Sequence, residues 1–115
     1  MVEIEDKEDL NKFLREERAV LLFYAKWSGF AKISKRMIEC LESGLDVRFY
    51  FGEFEGDRVS LGQEILALGV PKESFAGNGS ISFFERGKHL GDINCVVGEG
   101  NWAVVRKIKE LYGTQ

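Results

Sequence analysis

Apolar and polar positions alternate along this chain with two different periods, and the alternation sets out an order of elements. Leu10, Phe13 and Leu14 make a narrow apolar stripe among charged residues, with Asp6 placed to cap a helix that runs to Glu17. Ala19–Ala25 is apolar on both faces and reads as a central strand covered from two sides. After a Lys26–Gly29 turn, Phe30, Ile33, Met37 and Leu41 recur at spacings of three, four and four, predicting a helix that ends near Ser43 and Gly44. Val47–Phe54, rich in aromatic and β-branched residues, reads as a second buried strand. Leu61, Ile65 and Leu68 mark another helix, stopped by Gly69 and Pro71. Lys72–Gly79 is irregular, with a loop at Gly77–Gly79. Ser80–Phe84 and His89–Val97 form a hairpin through Glu85–Lys88. Asn101 is placed to cap a last helix in which Val105, Ile108 and Tyr112 share a face and which Gly113 ends.

The order is therefore α-β-α-β-α-β-β-α, with an optional edge strand at Val2–Ile4. Strands that alternate with helices need crossovers, so the expected class is α/β. The closing hairpin makes it a mixed sheet of four or five strands with helices on both faces. A chain of 115 residues suits a single domain over 1–115, and the sequence shows no repeat or linker.

Charge and cysteine content narrow the functions. Sixteen basic residues against nineteen acidic ones give a net charge of −3, which sets up no general attraction to nucleic acid or to an anionic membrane. The longest apolar run is far short of a bilayer span. The first residues are acidic and lack the shape of a signal peptide, so a cytoplasmic protein is expected. Two cysteines and one histidine cannot frame a disulfide scaffold or a four-ligand zinc site. No metal or cofactor is expected.

Several motifs reduce to structure on inspection. Val96–Ala103 matches G-x-G-x-x-A, but a dinucleotide fingerprint needs a further strand and an acidic residue about 20 positions on. Only twelve residues follow Ala103, so a glycine turn before a helix is the better account. Glu53, Glu55 and Asp57 lack calcium-loop spacing and read as a solvated strand end. His89 has no partner that can be named from sequence. Lys26, Lys32, Lys35 and Arg36 cluster around one helix start, a wet face that also suits an acidic partner. Cys40 and Cys95 stand 55 positions apart, outside any C-x-x-C, and read as small apolar fillers.

One segment carries more. Val20–Lys32 is a buried strand, a Trp27 turn and a helix start, and it resembles the active-site segment of thioredoxins, whose pattern is apolar strand, Trp, Cys-Gly-Pro-Cys, Lys. The similarity continues through the aromatic strand, the middle helix, the hairpin with Gly87 and the final helix, covering nearly the whole chain. It implies the thioredoxin fold. It does not bring the chemistry with it: Ser28 and Ala31 stand where the family has its two cysteines, Phe30 replaces the motif's proline, and Leu22 stands in place of a buried aspartate. Gly79 stands at the family's cis-proline. Leu66–Ser74 is similar to the non-catalytic b-type domains of protein disulfide isomerases, which also lack the cysteine pair.

The loss of sulfur decides the reading. Thiol–disulfide exchange needs a thiolate to attack and a second thiol to release the mixed intermediate. A helix N-terminus lowers a thiol's pKa into range but leaves a serine hydroxyl far above it. The resemblance then implies a redox-inactive member that binds a protein or extended peptide, as an adaptor or chaperone. The groove would be lined by Trp27, Ser28, Gly29 and Phe30, by Gly79 and Ser80, and by Val97 and Gly98. In that groove Ser80 would pair with an extended ligand by strand addition. Phe30 either joins Trp27 in an exposed patch or folds back on the domain. A weaker alternative puts an anion on the amides of Gly29, Phe30 and Ala31. The rival class is an enzyme: a divergent thiol-disulfide oxidoreductase of cell redox homeostasis, working through Cys40 or Cys95.

Overall fold

The computed structural model describes residues 1–113; Thr114 and Gln115, which the single-domain expectation also covered, lie outside the described residues. Five strands form one sheet in the order β1-β3-β2-β4-β5. They are β1 (Val2–Glu3), β2 (Ala19–Phe23), β3 (Arg48–Gly52), β4 (Ile81–Glu85) and β5 (Lys88–Ile93). β1, β3 and β2 run parallel, and β4 and β5 are antiparallel to their neighbours. The mixed α/β sheet predicted from the pattern is therefore present, edge strand included.

The central strand shows why the pattern was legible. All five residues of β2 are buried. Val20 and Leu22 point to one face, where they meet Ile38, Phe49, Phe83, Val104 and Ile108. Ala19, Leu21 and Phe23 point to the other and meet Leu10, Phe13, Tyr50, Ile65 and Phe84. Strict alternation of side chains thus feeds two cores at once. The first face is covered by α2 (Gly29–Leu41) and α5 (Asn101–Tyr112), the second by α1 (Lys7–Arg15) and α3 (Val59–Leu66).

Boundaries differ from the sequence expectation in four places. Helix α1 begins as expected, with the Asp6 carboxylate accepting the Asp9 amide at 2.9 Å, but it stops at Arg15. In α2 the fully buried residues are Ala31, Ser34 and Ile38; of the expected stripe, Met37 and Leu41 are partly buried against the same core, while Phe30 and Ile33 are exposed. Strand β5 ends at Ile93, and Val96–Glu99 forms a short helix, α4, where the sequence predicts strand. The Val96 amide donates to the Gly79 carbonyl at 3.2 Å and the Cys95 carbonyl accepts from Glu99 at 3.1 Å, so the chain turns helical there. Asn101 is the first residue of α5 rather than its cap, which is Gly100, and Val104 rather than Val105 joins Ile108 and Tyr112 in the core. The β4–β5 turn is Arg86–Gly87, both at positive φ (49° and 81°), the two-residue geometry whose twist matches a hairpin.

Candidate functional site

The central strand β2 delivers the chain to a turn at its C-terminal end, and four hydrogen bonds fix that turn. The Ser28 amide donates to the Ala25 carbonyl at 3.0 Å. The Ser28 hydroxyl accepts the Ala31 amide at 3.2 Å, capping α2, and donates to the Gly77 carbonyl. The Lys26 amide donates to a Glu53 carboxylate oxygen at 3.0 Å. Ser28 is only 6% exposed. It is a capping residue that ties the turn to the 77–79 loop, with its hydroxyl engaged on both the Ala31 amide and the Gly77 carbonyl. The amide of Ala31 is already used and the Lys32 amide bonds the Ser28 carbonyl, which weakens the anion alternative.

Trp27 and Phe30 do not fold back. They are 65% and 57% exposed. The Trp27 ring lies against Gly77, where an added Cβ would stand 2.5 Å from it, and its Nε1 donates to Glu55 at 3.3 Å. Glu55 is itself held. Its carbonyl accepts the Arg58 amide, and the Arg58 guanidinium bonds Glu3 at 3.0 Å and Glu5 at 3.4 Å. Glu53 and Glu55 are therefore anchors of the Trp27 turn, a role the sequence did not disclose. They accept from Lys26 and Trp27, groups that no carboxylate spacing rule would pair with them.

The remaining sequence-derived site residues come close to the turn but with less access. Gly79 and Ser80 are buried, and both carbonyls are occupied, Gly79 by the Val96 amide and Ser80 by the Phe23 amide at 3.0 Å. Ser80 is 0% exposed and its hydroxyl reaches the Asn94 carbonyl and, at 2.6 Å, the Asn78 side chain. The Ser80 carbonyl, the acceptor that strand addition there would use, is therefore already engaged within the sheet. Val97 is half-buried and Gly98 exposed, both on α4 and not at a strand end. Among the described residues there is no cis peptide bond, and Gly79 has φ +77°.

Both cysteines are free, Cys40 exposed near the end of α2 and Cys95 half-buried just before α4. Cys40 is thus not the buried filler its spacing suggested. His89 does have a partner. Its Nε2 lies 2.9 Å from Asp92, which also accepts from Ser82. Among the described residues no group of three or more His, Cys, Asp or Glu side chains is placed to hold a metal ion, and no helix is long and apolar enough to cross a membrane.

No protein-family model and no curated protein matches this sequence. Solved structures do resemble it. Chlamydomonas reinhardtii thioredoxin f2 superposes with a TM-score of 0.71 at 17% identity, covering 100% of this chain and 99% of its own. A thioredoxin from Halobacterium salinarum gives a TM-score of 0.75 at 16% identity, covering 96% of this chain and 88% of its own. Fasciola hepatica thioredoxin gives 0.72 at 16% identity over 96% and 99%. The chain has the thioredoxin fold.

Proposed function

We propose that this thioredoxin-fold chain is a redox-inactive module that grips a protein partner through the exposed turn at Trp27–Phe30. The observation that carries the reading is the pair of projecting rings, Trp27 and Phe30, on a turn fixed by hydrogen bonds from Ser28, Lys26 and Trp27 itself. Rigid, exposed aromatic surface is costly to leave in water and is the usual anchor of a protein interface. At the same place, Ser28 and Ala31 offer neither an attacking thiolate nor a resolving thiol. Grip is retained and exchange is lost.

Two measurements test this together. In the insulin-reduction assay with dithiothreitol, the protein is expected to leave the background rate unchanged. On an array of short peptides it is expected to bind a subset, and Trp27→Ala with Phe30→Ala should weaken those signals about ten-fold, a loss of about 1.4 kcal/mol. Insulin reduction that disappears in Cys40→Ser or Cys95→Ser would instead establish the thiol enzyme.

A further inference from the structure

The helix that follows the Trp27 turn is assembled the wrong way round for a helix with no partner. Its core face uses small side chains, Ala31 and Ser34, with Ile38, while the bulkier Phe30 and Ile33 stand 57% and 50% exposed. Phe30 and Ile33 are one turn apart and form an exposed ridge at the start of α2, while Met37, the next residue on that line, is partly buried against the core. The Met37 carbonyl accepts from the Asn101 side chain at 3.3 Å, which brings the first turn of α5 beside that ridge. The next residue, Trp102, is 72% exposed. On α5, Ala103, Arg106 and Lys107 line the groove beside β5 and Asn101 faces α2; Trp102 stands between these two flanks, in solvent beside the α2 contact. Three of the seven large exposed apolar side chains among the described residues, Phe30, Ile33 and Trp102, therefore lie along α2 and the first turn of α5, while Trp27 leans the other way, onto Gly77 and Glu55.

The charges along that ridge are one-sided. Lys32 and Arg36, one turn apart and exposed, follow its outer margin, and neither has an ion-pair partner among the described residues. The nearest acid on the helix, Glu39, is taken by Lys35 at 3.0 Å. Glu99 faces the groove on the other side of α5, with Asp92 and Lys107. A chain of net charge −3 thus keeps two unmatched cations beside these exposed apolar side chains.

We infer that the partner segment is acidic and apolar, and that it lies along the seam between α2 and α5, from Phe30 to Trp102, with its carboxylates on Lys32 and Arg36. The inference rests on the reading of Trp27 and Phe30 as a binding surface. A peptide fits better than an anionic bilayer, because the net negative charge repels an extended anionic surface while a short acidic segment meets only the local cations.

The experiment compares three synthetic amphipathic peptides of about four helical turns, with leucine on one face and Glu, Gln or Lys elsewhere. Titration calorimetry and amide-shift mapping provide the readout. The Glu peptide is expected to bind about ten-fold more tightly than the Gln peptide, and the Lys peptide weakest of all. Lys32→Glu with Arg36→Glu should reverse that order. Trp102→Ala should weaken the Glu peptide about ten-fold with the fold intact. Equal binding of the Glu and Gln peptides, or binding of none of the three, overturns the inference. Binding that is lost in Trp27→Ala but indifferent to Trp102→Ala also overturns it while leaving the Trp27–Phe30 surface in place. Absence of any peptide signal on the array sinks that earlier reading itself. Co-sedimentation with phosphatidylcholine–phosphatidylserine vesicles that needs Lys32 and Arg36 would replace the peptide by lipid.

Discussion

At Gly79 three constraints meet in one residue. Its φ is +77°, and an added Cβ would stand 2.2 Å from the Ser34 hydroxyl and 3.0 Å from the Phe30 carbonyl oxygen. The left-handed conformation costs a side-chain-bearing residue roughly 1–2 kcal/mol, and the overlap adds about 1–3 kcal/mol. Gly79→Ala should therefore lower stability by about 3 kcal/mol in urea unfolding, with an unchanged slope. The same φ is closed to proline, whose ring fixes φ near −65°. Gly79 is thus part of a different loop conformation from the one implied by the family's proline. Gly29 is the control: nothing lies within 4 Å of an added Cβ, and Gly29→Ala should be neutral or stabilise by less than about 1 kcal/mol. Ser34, directly beneath Gly79, is fully buried and its hydroxyl has no hydrogen-bond partner among the described residues. Ser34→Ala should raise stability by about 1 kcal/mol, because it removes an unsatisfied buried oxygen and improves helix propensity. Opposite signs from two residues in contact would confirm that this layer is tightly packed. A stable Gly79→Ala would show that the loop gives way.

Helix α2 shows what a hydrophobic pattern reports and what it does not. The expectation followed the larger apolar side chains and chose the stripe with Phe30 and Ile33, but the close approach of the Gly79 loop leaves room only for a small side chain at Ser34. The existence of the helix was legible from its 3.6-residue period, whereas its orientation depends on a neighbour distant in sequence. The strands were easier. A strand buried on both faces is an unbroken apolar run, so Ala19–Phe23 needed no choice of face. Val96 and Val97 misled for a local reason: two β-branched residues after a strand read as more strand, yet the Val96 amide belongs to Gly79. Ser28 was legible as the replacement for a cysteine, but its hydrogen bonds to Gly77 and Ala31 were not, nor were those of Glu53 and Glu55. Side-chain to backbone bonds across long separations leave no spacing in the sequence. The two isoleucines of α2 check its orientation. Ile38→Ala should cost about 2–5 kcal/mol, while Ile33→Ala should stay within about 0.5 kcal/mol. Comparable losses from both would mean that the helix is rotated.

Across the whole molecule, the Trp27 turn and the tyrosine latches occupy opposite ends of β2. Trp27 follows its C-terminal end. At its N-terminal end the Tyr112 hydroxyl lies 3.1 Å from the Ala19 carbonyl oxygen and 2.8 Å from that of Phe84, closing α5 onto the sheet. Nearby, the Tyr50 hydroxyl donates to Glu16 at 2.6 Å, tying β3 to the end of α1. Burial pushes the pKa of each phenol well above its ordinary value of 10, and for Tyr50 the Glu16 carboxylate pushes in the same direction. A raised folded-state pKa makes the neutral phenol the stabilised form. Its contribution is complete below the unfolded-state value of about 10 and declines above it, where the unfolded chain loses protons that the folded chain retains. Stability should therefore show no tyrosine-linked change up to about pH 10 and then fall by as much as 1.4 kcal/mol per pH unit for each residue, about 2.7 for the pair. Urea midpoints between about pH 9 and pH 12 measure this slope, and Tyr50→Phe or Tyr112→Phe should each remove about half of it. A slope unchanged in both variants would rule out the phenols as its source. Because the latches lie at the far end of the sheet from Trp27 and Phe30, the binding surface proposed there should keep its affinity for a neutral peptide until the whole domain unfolds.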